Sequence, residues 1–215
     1  MSGCELDHLV VVAGSREAGT AWVEAALGVP LQVGGEHDRM GTHNALLRLG
    51  DDRYLEVLAV NPRAPSPDRP RWFGLDRIAP DSPPRLATWV ARSGDITSAA
   101  AASTMRLGDI EAMSRGDFSW LIAVSPDGKA HFGGMLPALI EWTGAHPARS
   151  LDDRGCSLAG LEAFHPSPLA LVTALQSLGL RDAIRVHTLP FDEHPYLVAH
   201  IQTPGGLRTI GGPTA

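Results

Sequence analysis

One order of segments recurs along the chain, and it limits the folds that the chain can adopt. Residues 5–61 contain an apolar β-branched run, a segment with helical spacing and three further extended runs. Residues 85–150 repeat this order as a second unit, and residues 151–215 contain it a third time. Mixed helical and strand periodicity predicts an α+β fold. Its repetition at roughly 60–80 residues predicts βαβββ units that associate into one domain.

Local signals mark the ends of these segments. Ser15 and Gly28 flank "REAGTAWVEAAL" as an N-cap and a C-terminal glycine flank a helix. The stretch "GDDR" (50–53) predicts a hairpin turn with a two-residue loop. Residues 62–84 hold seven of the seventeen prolines. That density predicts an irregular surface connector between the first two units.

Composition and charge narrow the function classes. The chain has 215 residues, 44% of them hydrophobic, and a net charge of −6 with a single lysine, Lys129. A surface that binds nucleic acid or anionic membrane needs clustered basic residues, so neither partner is expected.

No apolar run reaches the roughly 18 residues of a membrane span. The N-terminus carries acidic Glu5 and Asp7 where a signal peptide has basic residues, so a cytoplasmic location is expected. Cys4 and Cys156 match no metal or disulfide spacing and are interpreted as reduced bystanders.

Two polar residues lie inside apolar strand-like runs. His8 is in "LDHLVVVA" (6–13) and Glu56 is in "YLEVLAVN" (54–61). An unpaired buried charge costs several kcal/mol, about 2–7 even for a neutral polar group without a partner. We therefore expect both side chains to be paired with another group or to bind a ligand.

The repeated unit, with a histidine on its first strand and a glutamate on its fourth, resembles the vicinal oxygen chelate superfamily. The stretches "GTHNALLRLGDDRYLEVLAVNP", "LPALIEW" and "LEAFHPSP" resemble its glyoxalase-like domain branch more closely. The resemblance covers nearly the whole chain. It implies a curved, cup-shaped mixed sheet with helices outside, and a divalent metal ion (Zn, Ni, Fe or Mn) inside the cup.

The resemblance also implies a ligand set. His8 and Glu56 match the metal ligands of the first unit, and Glu141 matches the fourth-strand ligand of the second unit. The remaining ligand position falls on Thr88, and threonine is a poor ligand for these metals. Glu141 is then the expected general base at a metal-bound substrate. The alternative is a metal-free cup in which His8 hydrogen-bonds Glu56 or Glu141.

The chain also contains candidate substrate contacts. A two-residue hairpin loop would place Leu47 opposite Glu56 and would put His43 on the face of Glu56, near the rim of the cup. In the same register Asn44 points to the other face and ties down the backbone.

Arg115 and Trp120 lie in "SRGDFSWLIA" (114–123). An arginine directed into the cup would bind a carboxylate or phosphate. Arg115 paired with Asp117 or Glu111 at the surface is the alternative. Trp142 points away from Glu141 and is interpreted as core packing.

Two functions follow from these observations. The first is a metal-dependent lyase, isomerase or dioxygenase that acts on a small oxygenated metabolite. The second is a metal-free protein that binds or sequesters a small molecule in the same cup. Cups of this superfamily are completed within one chain or between two, so a homodimer stays open.

Overall fold

The computed structural model describes residues 3–213, which form twelve strands and three α-helices. The helices are α1 (Arg16–Leu27), α2 (Ile96–Ala102) and α3 (Pro168–Ser177). The strands are β1 (Glu5–Val12), β2 (Gln32–His37), β3 (Thr42–Arg48), β4 (Tyr54–Val60), β5 (Arg85–Arg92), β6 (Asp109–Arg115), β7 (Phe118–Val124), β8 (Ala138–Trp142), β9 (Ser157–His165), β10 (Arg185–Thr188), β11 (Tyr196–Thr203) and β12 (Gly206–Gly211).

The first eight strands form one curved sheet in the order β2-β3-β4-β1-β5-β8-β7-β6. The two halves of this order mirror each other, because each unit contributes four consecutive strands. The first strands of the two units, β1 and β5, pair antiparallel at the centre. Each of them pairs parallel with the last strand of its own unit. The predicted α+β fold with a cup-shaped mixed sheet is confirmed.

Both faces of this sheet are covered. On the convex face, α1 and α2 pack over a core that includes Leu9, Val57 and Trp89. On the concave face, a smaller cluster fills the cup with Val10, Leu58 and other apolar side chains. Strands covered on both faces have no polar side to expose, which explains the nearly continuous apolar runs in the sequence.

The remaining strands form a second sheet in the order β10-β9-β11-β12. Its inward face carries Leu161, Ala199 and Ile210, which are buried in the core on the convex side of the first sheet. Contacts of β11 and β12 with β5, and of β12 with α1, attach this sheet to the first.

The two outer strands of the curved sheet, β2 and β6, approach each other across the open side of the cup. Arg39, just beyond β2, donates to the backbone oxygen of Ala112 in β6 at 3.0 Å and pairs with Glu111 at 2.6 Å. Arg69, from the connector 62–84, pairs with the same Glu111. These contacts close the cup along one side.

Helix α1 begins and ends where the sequence predicts. The hydroxyl of Ser15 accepts a hydrogen bond from the Ala18 backbone N–H at 3.1 Å, and Gly28 adopts a left-handed conformation (φ 72°) that ends the helix. Within residues 3–213, no helix has the length and apolar character that crossing a membrane requires.

The hairpin between β3 and β4 differs from the prediction by one residue. Leu49 N–H donates to Arg53 O at 2.9 Å, which leaves a three-residue loop. Leu46, and not Leu47, therefore lies opposite Glu56. Because side chains alternate along a strand, this one-residue shift exchanges the faces on which every β3 side chain lies.

Candidate functional site

A small cavity lies inside the cup near its centre. It is lined by His8, His37, Tyr54, Glu56, Trp72, Phe73, Arg115, Trp120, Ile122, Ile140 and Trp142. The polar members come from both units, since Arg115 belongs to the second and the histidines to the first. Its volume is about 30 Å³, about two water molecules on the scale where one water needs roughly 10–15 Å³.

A β-bulge brings Asp7 and His8 together. Leu6 pairs with Ala91 and His8 with Val90, so Asp7 is an extra residue in β1. Adjacent residues in a regular strand point to opposite faces, but a bulge redirects a side chain. Nδ1 of His8 lies 2.6 Å from Oδ1 of Asp7, and both side chains are buried.

Three donors surround the Asp7 carboxylate. Besides His8, Trp142 Nε1 donates to Oδ2 at 3.0 Å, and His146 Nε2 lies 2.9 Å from the same oxygen. Burial alone would raise the pKa of Asp7, but the hydrogen bonds from His146 and His8 hold it well below its usual range. Asp7 is therefore ionised, and whenever the His8 ring is neutral, Asp7 holds its proton on Nδ1.

Glu56 faces the other ring nitrogen of His8. Its Oε2 lies 3.7 Å from His8 Nε2, while its Oε1 accepts a hydrogen bond of 2.5 Å from the Asn44 side-chain amide. Asn44 in turn accepts from the Gly35 backbone N–H at 2.8 Å. Asp7 thus orients His8, and Asn44 orients Glu56.

A second polar pair lies across the cavity. Arg115 NH1 is 3.1 Å from His37 Nε2, and His37 Nδ1 is 3.0 Å from Thr42 Oγ1. Burial lowers the pKa of His37 to about 4, so its ring is neutral at pH 7. When the His37 ring carries its proton on Nδ1, its Nε2 accepts a hydrogen bond from the Arg115 guanidinium. Because His37 is neutral, Arg115 supplies the positive charge of the cavity.

Glu141 does not join this group. In β8, Ile140 lies opposite Ile122 and Trp142 opposite Trp120, and these four side chains line the cavity. Glu141 points to the convex face, where Oε2 accepts from the backbone N–H of residue 96, at the start of α2, at 2.7 Å. The expectation that Glu141 converges with His8 and Glu56 is therefore wrong.

Thr88 also lies apart from the His8–Glu56 pair. It is buried, and its hydroxyl donates to the Gly134 backbone oxygen at 3.0 Å. It borders a separate void of about 20 Å³ deeper in the cup.

The hairpin register moves His43 out of the cup. His43 lies near Arg16 and Glu17 of α1 and near Glu36 and Arg63, on the convex side. Burial and the nearby Arg16 lower its pKa. The predicted face of His43 is wrong, and the next residue in β3 lies on the cup side instead.

Arg115, Trp120 and Trp142 all line the cavity. The substrate-binding role of Arg115 and Trp120 stays a prediction. Trp142, which was interpreted as core packing, is also a hydrogen-bond donor to Asp7.

The donor set does not fit the metal centre that the resemblance implies. His8 Nε2 and one oxygen of Glu56 are the two donors that face each other, whereas catalytic zinc sites use three protein ligands. Between residues 3 and 213, no group of three His, Cys, Asp or Glu side chains is arranged to hold a metal ion. The nearby Arg115 guanidinium also adds a positive charge to the cavity.

Sequence reasoning missed Asp7, His37, Tyr54 and His146 as parts of the site. Tyr54 stacks on His8 with ring centroids 4.4 Å apart. Polar residues inside apolar runs were the available signal for Asp7, which was noted as an acidic residue near the N-terminus. No sequence signal distinguishes His37 or His146 from solvent-exposed histidines.

A family model described as "Glyoxalase-like domain" matches residues 6–179. No curated protein matches the sequence. A hypothetical protein from Staphylococcus aureus has a similar structure, with a TM-score of 0.59 and 13% identity over 92% of this chain and 80% of that one.

Two further solved structures are more distant. A variant of Streptomyces coelicolor methylmalonyl-CoA epimerase gives a TM-score of 0.44 at 14% identity, over 67% of this chain and 99% of that one. A mutant of 4-hydroxymandelate synthase from Streptomyces coelicolor gives 0.45 at 15% identity, over 99% of this chain and 64% of that one. The family match spans most of the chain and agrees with the cup-shaped sheet, and the chain therefore belongs to the glyoxalase-like domain family.

Proposed function

We propose that the cup binds a small oxygenated carboxylic acid and that His8 and Glu56 transfer a proton on it. The observation that carries this proposal is the placement of His8 Nε2 opposite Glu56 Oε2, 3.7 Å apart, at the wall of a small cavity. Two buried proton acceptors that face each other across a gap of this size are suited to a proton that moves between neighbouring atoms of a bound molecule.

His8 is the base in this proposal. Asp7 holds the ring proton on Nδ1 at 2.6 Å, so the lone pair of Nε2 faces the cavity. When Nε2 takes a proton from a carbon next to a carbonyl group, the imidazolium is stabilised by Asp7 and by Glu56. In an isomerase the proton returns to the neighbouring carbon of the enediolate, and Glu56 moves the hydroxyl proton to the other oxygen. In an epimerase a proton returns to the opposite face of the same carbon.

Arg115 supplies the binding site for the carboxylate. A guanidinium group binds a carboxylate through two parallel hydrogen bonds. His37 is neutral and accepts only one of its N–H groups, which leaves the others for the ligand. The negative charge that develops on the enediolate is stabilised by the same cation.

The remaining walls suit an oxygenated organic molecule. Tyr54, Trp72, Trp120 and Trp142 surround the polar groups with aromatic surface, as in most small-molecule sites. Trp72 Nε1 is buried and has no hydrogen-bond partner within residues 3–213. A buried donor without a partner is costly, and a ligand oxygen would satisfy it.

The proposal is tested by hydrogen–deuterium exchange. A panel of small 2-oxo and 2-hydroxy acids is incubated with the protein in D₂O, and loss of the signal from the proton next to the carbonyl or carboxyl carbon is followed by NMR. We expect at least one acid to exchange, and Glu56→Gln to reduce its rate about 10²–10⁴-fold, the usual contribution of a positioned acid–base group. Glu141→Gln is the matched control, because this glutamate lies on the convex face.

Equal rates in the Glu56→Gln and Glu141→Gln variants would contradict the proposal. Binding of an acid without exchange would support the second candidate, a protein that sequesters the acid, to which a small, largely aromatic cavity is also suited.

A further inference from the structure

The cavity is too small for the ligand as it stands, and one side chain borders both the cavity and a larger space. Ligand sites for small molecules usually have about 300–1,000 Å³, whereas this cavity has about 30 Å³. Phe73 lines the cavity and also lines an open groove of about 430 Å³ on the outside of the connector. Among the described residues, Phe73 is the one that the two linings share.

The backbone at Phe73 is strained. Its φ of 57° and ψ of 23° lie in the left-handed region, which is energetically costly for a residue that carries a side chain. The next residue, Gly74, also has a positive φ (71°), and its N–H donates to the Gly128 backbone oxygen at 2.8 Å. That bond anchors the segment from outside the cup. Strained residues of this kind are concentrated at ligand sites and switch regions.

The groove is lined by positive charge. Arg77, Arg85 and Lys129 border it, and no acidic side chain is among its lining residues in the described part of the chain. Lys129 pairs with Asp127 at 3.1 Å. Arg77 and Arg85 have no carboxylate within 4.0 Å among residues 3–213, although the protein has a net charge of −6.

We propose that this groove binds the anionic tail of the ligand, with Phe73 as the gate through which the head group enters the cavity. A phosphate group is the best match, because two free guanidinium groups can neutralise its double charge. The ligand is then a molecule with a small oxygenated acid at one end and a phosphate at the other. The identity of the head group and its passage past Phe73 rest on the proposed function, but anion binding in the groove does not.

The groove is tested with inorganic pyrophosphate, measured by isothermal titration calorimetry at low ionic strength. We expect binding that weakens at least tenfold in the double variant Arg77→Glu and Arg85→Glu. Arg181→Glu is the matched control, since Arg181 is exposed and outside the groove, and its affinity should stay within twofold of the wild type. His8→Ala should also bind as the wild type does.

The gate is tested by acrylamide quenching of tryptophan emission. Trp72, Trp120 and Trp142 line the cavity, so Phe73→Ala should at least double the quenching constant. Phe132→Ala is the matched control. Phe132 also has a positive φ (49°) and precedes a glycine, but it packs against His165 and lines neither space.

Several results would overturn this inference. For the groove, they are an absence of pyrophosphate binding, or equal affinity in the double variant and in Arg181→Glu. Loss of pyrophosphate binding in Arg115→Gln, which leaves the groove residues unchanged, would also count against it. For the gate, the result is an equal quenching constant in the two phenylalanine variants. Lack of proton exchange with the acid panel would contradict the proposed function and would leave these results unaffected.

Discussion

Asp7 and His8 are neighbours in one strand, yet their side chains meet at 2.6 Å inside the cup. The bulge in β1 makes this contact possible, because it inserts Asp7 between two residues that pair regularly with β5. The strand thereby supplies both an imidazole and the carboxylate that orients it.

Replacing Asp7 by asparagine should destabilise the fold and release His8. The amide cannot accept from three donors as the carboxylate does, and removal of one partner from a buried charged network costs about 2–4 kcal/mol. Urea unfolding at pH 7 measures this loss. ¹⁵N NMR of the His8 ring should show that the Nδ1–H form is no longer dominant.

The control for this change is Asp117→Asn at an exposed site, where we expect less than about 0.5 kcal/mol. If both variants unfold at the same urea concentration, Asp7 does not have the structural role described above.

Gly34→Ala should disturb the site without touching any ionisable group. A Cβ atom at Gly34 would lie 1.9 Å from Asn44 Oδ1, so Asn44 must move and lose its bonds to Gly35 and Glu56. We expect a loss of about 1–3 kcal/mol. For a chain of this size that corresponds to a melting temperature lower by about 3–10 °C.

Gly94→Ala provides the comparison, because nothing lies within 4 Å of its added Cβ. The expected change there is close to zero. A Gly34→Ala variant that melts with the wild type would show that Asn44 is not fixed as the structure describes.

Stability should fall as the pH drops from 7 to 5, and His37 should account for part of this slope. Burial lowers the pKa of His37 to about 4 in the folded chain, whereas an unfolded histidine titrates near 6.5. Between these values the unfolded chain binds more protons, so stability increases with pH. Linkage gives about 2 kcal/mol between pH 5 and pH 7 for this one group.

Denaturant unfolding at the two pH values checks this prediction. The difference in the free energy of unfolding between pH 7 and pH 5 should be smaller by about 2 kcal/mol in His37→Gln. It should stay unchanged in His194→Gln, since His194 is exposed. Identical slopes in all three proteins would mean that His37 is charged or accessible in the folded state.

Divalent metal ions should have little effect on stability. A ligand that binds the folded state stabilises it by RT ln(1 + [L]/Kd), and two opposed donors give a weak site. We expect added Zn²⁺, Ni²⁺ or Mn²⁺ to raise the melting temperature by less than about 1 °C. A larger increase that disappears in His8→Ala would show that the cup holds a metal after all.

The order of elements could be predicted from the sequence because periodicity and capping residues are local properties. The side of the sheet to which each residue points could not be predicted from the sequence. The stretches "YLEVLAV" and "ALIEW" are covered on both faces, so their apolar residues do not alternate with polar ones and do not reveal which face is inside. The inward face of β8 carries Ile140, and its outward face carries Glu141.

In the first unit, the length of the loop between β3 and β4 also decided which side chains face the cup, and the sequence did not reveal that length. A three-residue loop after β3 places Asn44 beside Glu56, whereas a two-residue loop would place His43 there. The bulge at Asp7 was equally inaccessible, because it depends on pairing with residues more than eighty positions away. The contact between the guanidinium of β6 and the histidine of β2 needs the complete cup.

The two units mirror each other in strand order, but they contribute different kinds of side chain to the cavity. The proposed base, the carboxylate that orients it and the facing glutamate all come from residues 5–61, while residues 85–150 contribute mainly aromatic and aliphatic surface and one cation. Exchanging side chains in the second unit should therefore change which molecules are accepted, with the proton-transfer apparatus intact. A duplicated fold of this kind lets selectivity diversify in one copy while reactivity is retained in the other.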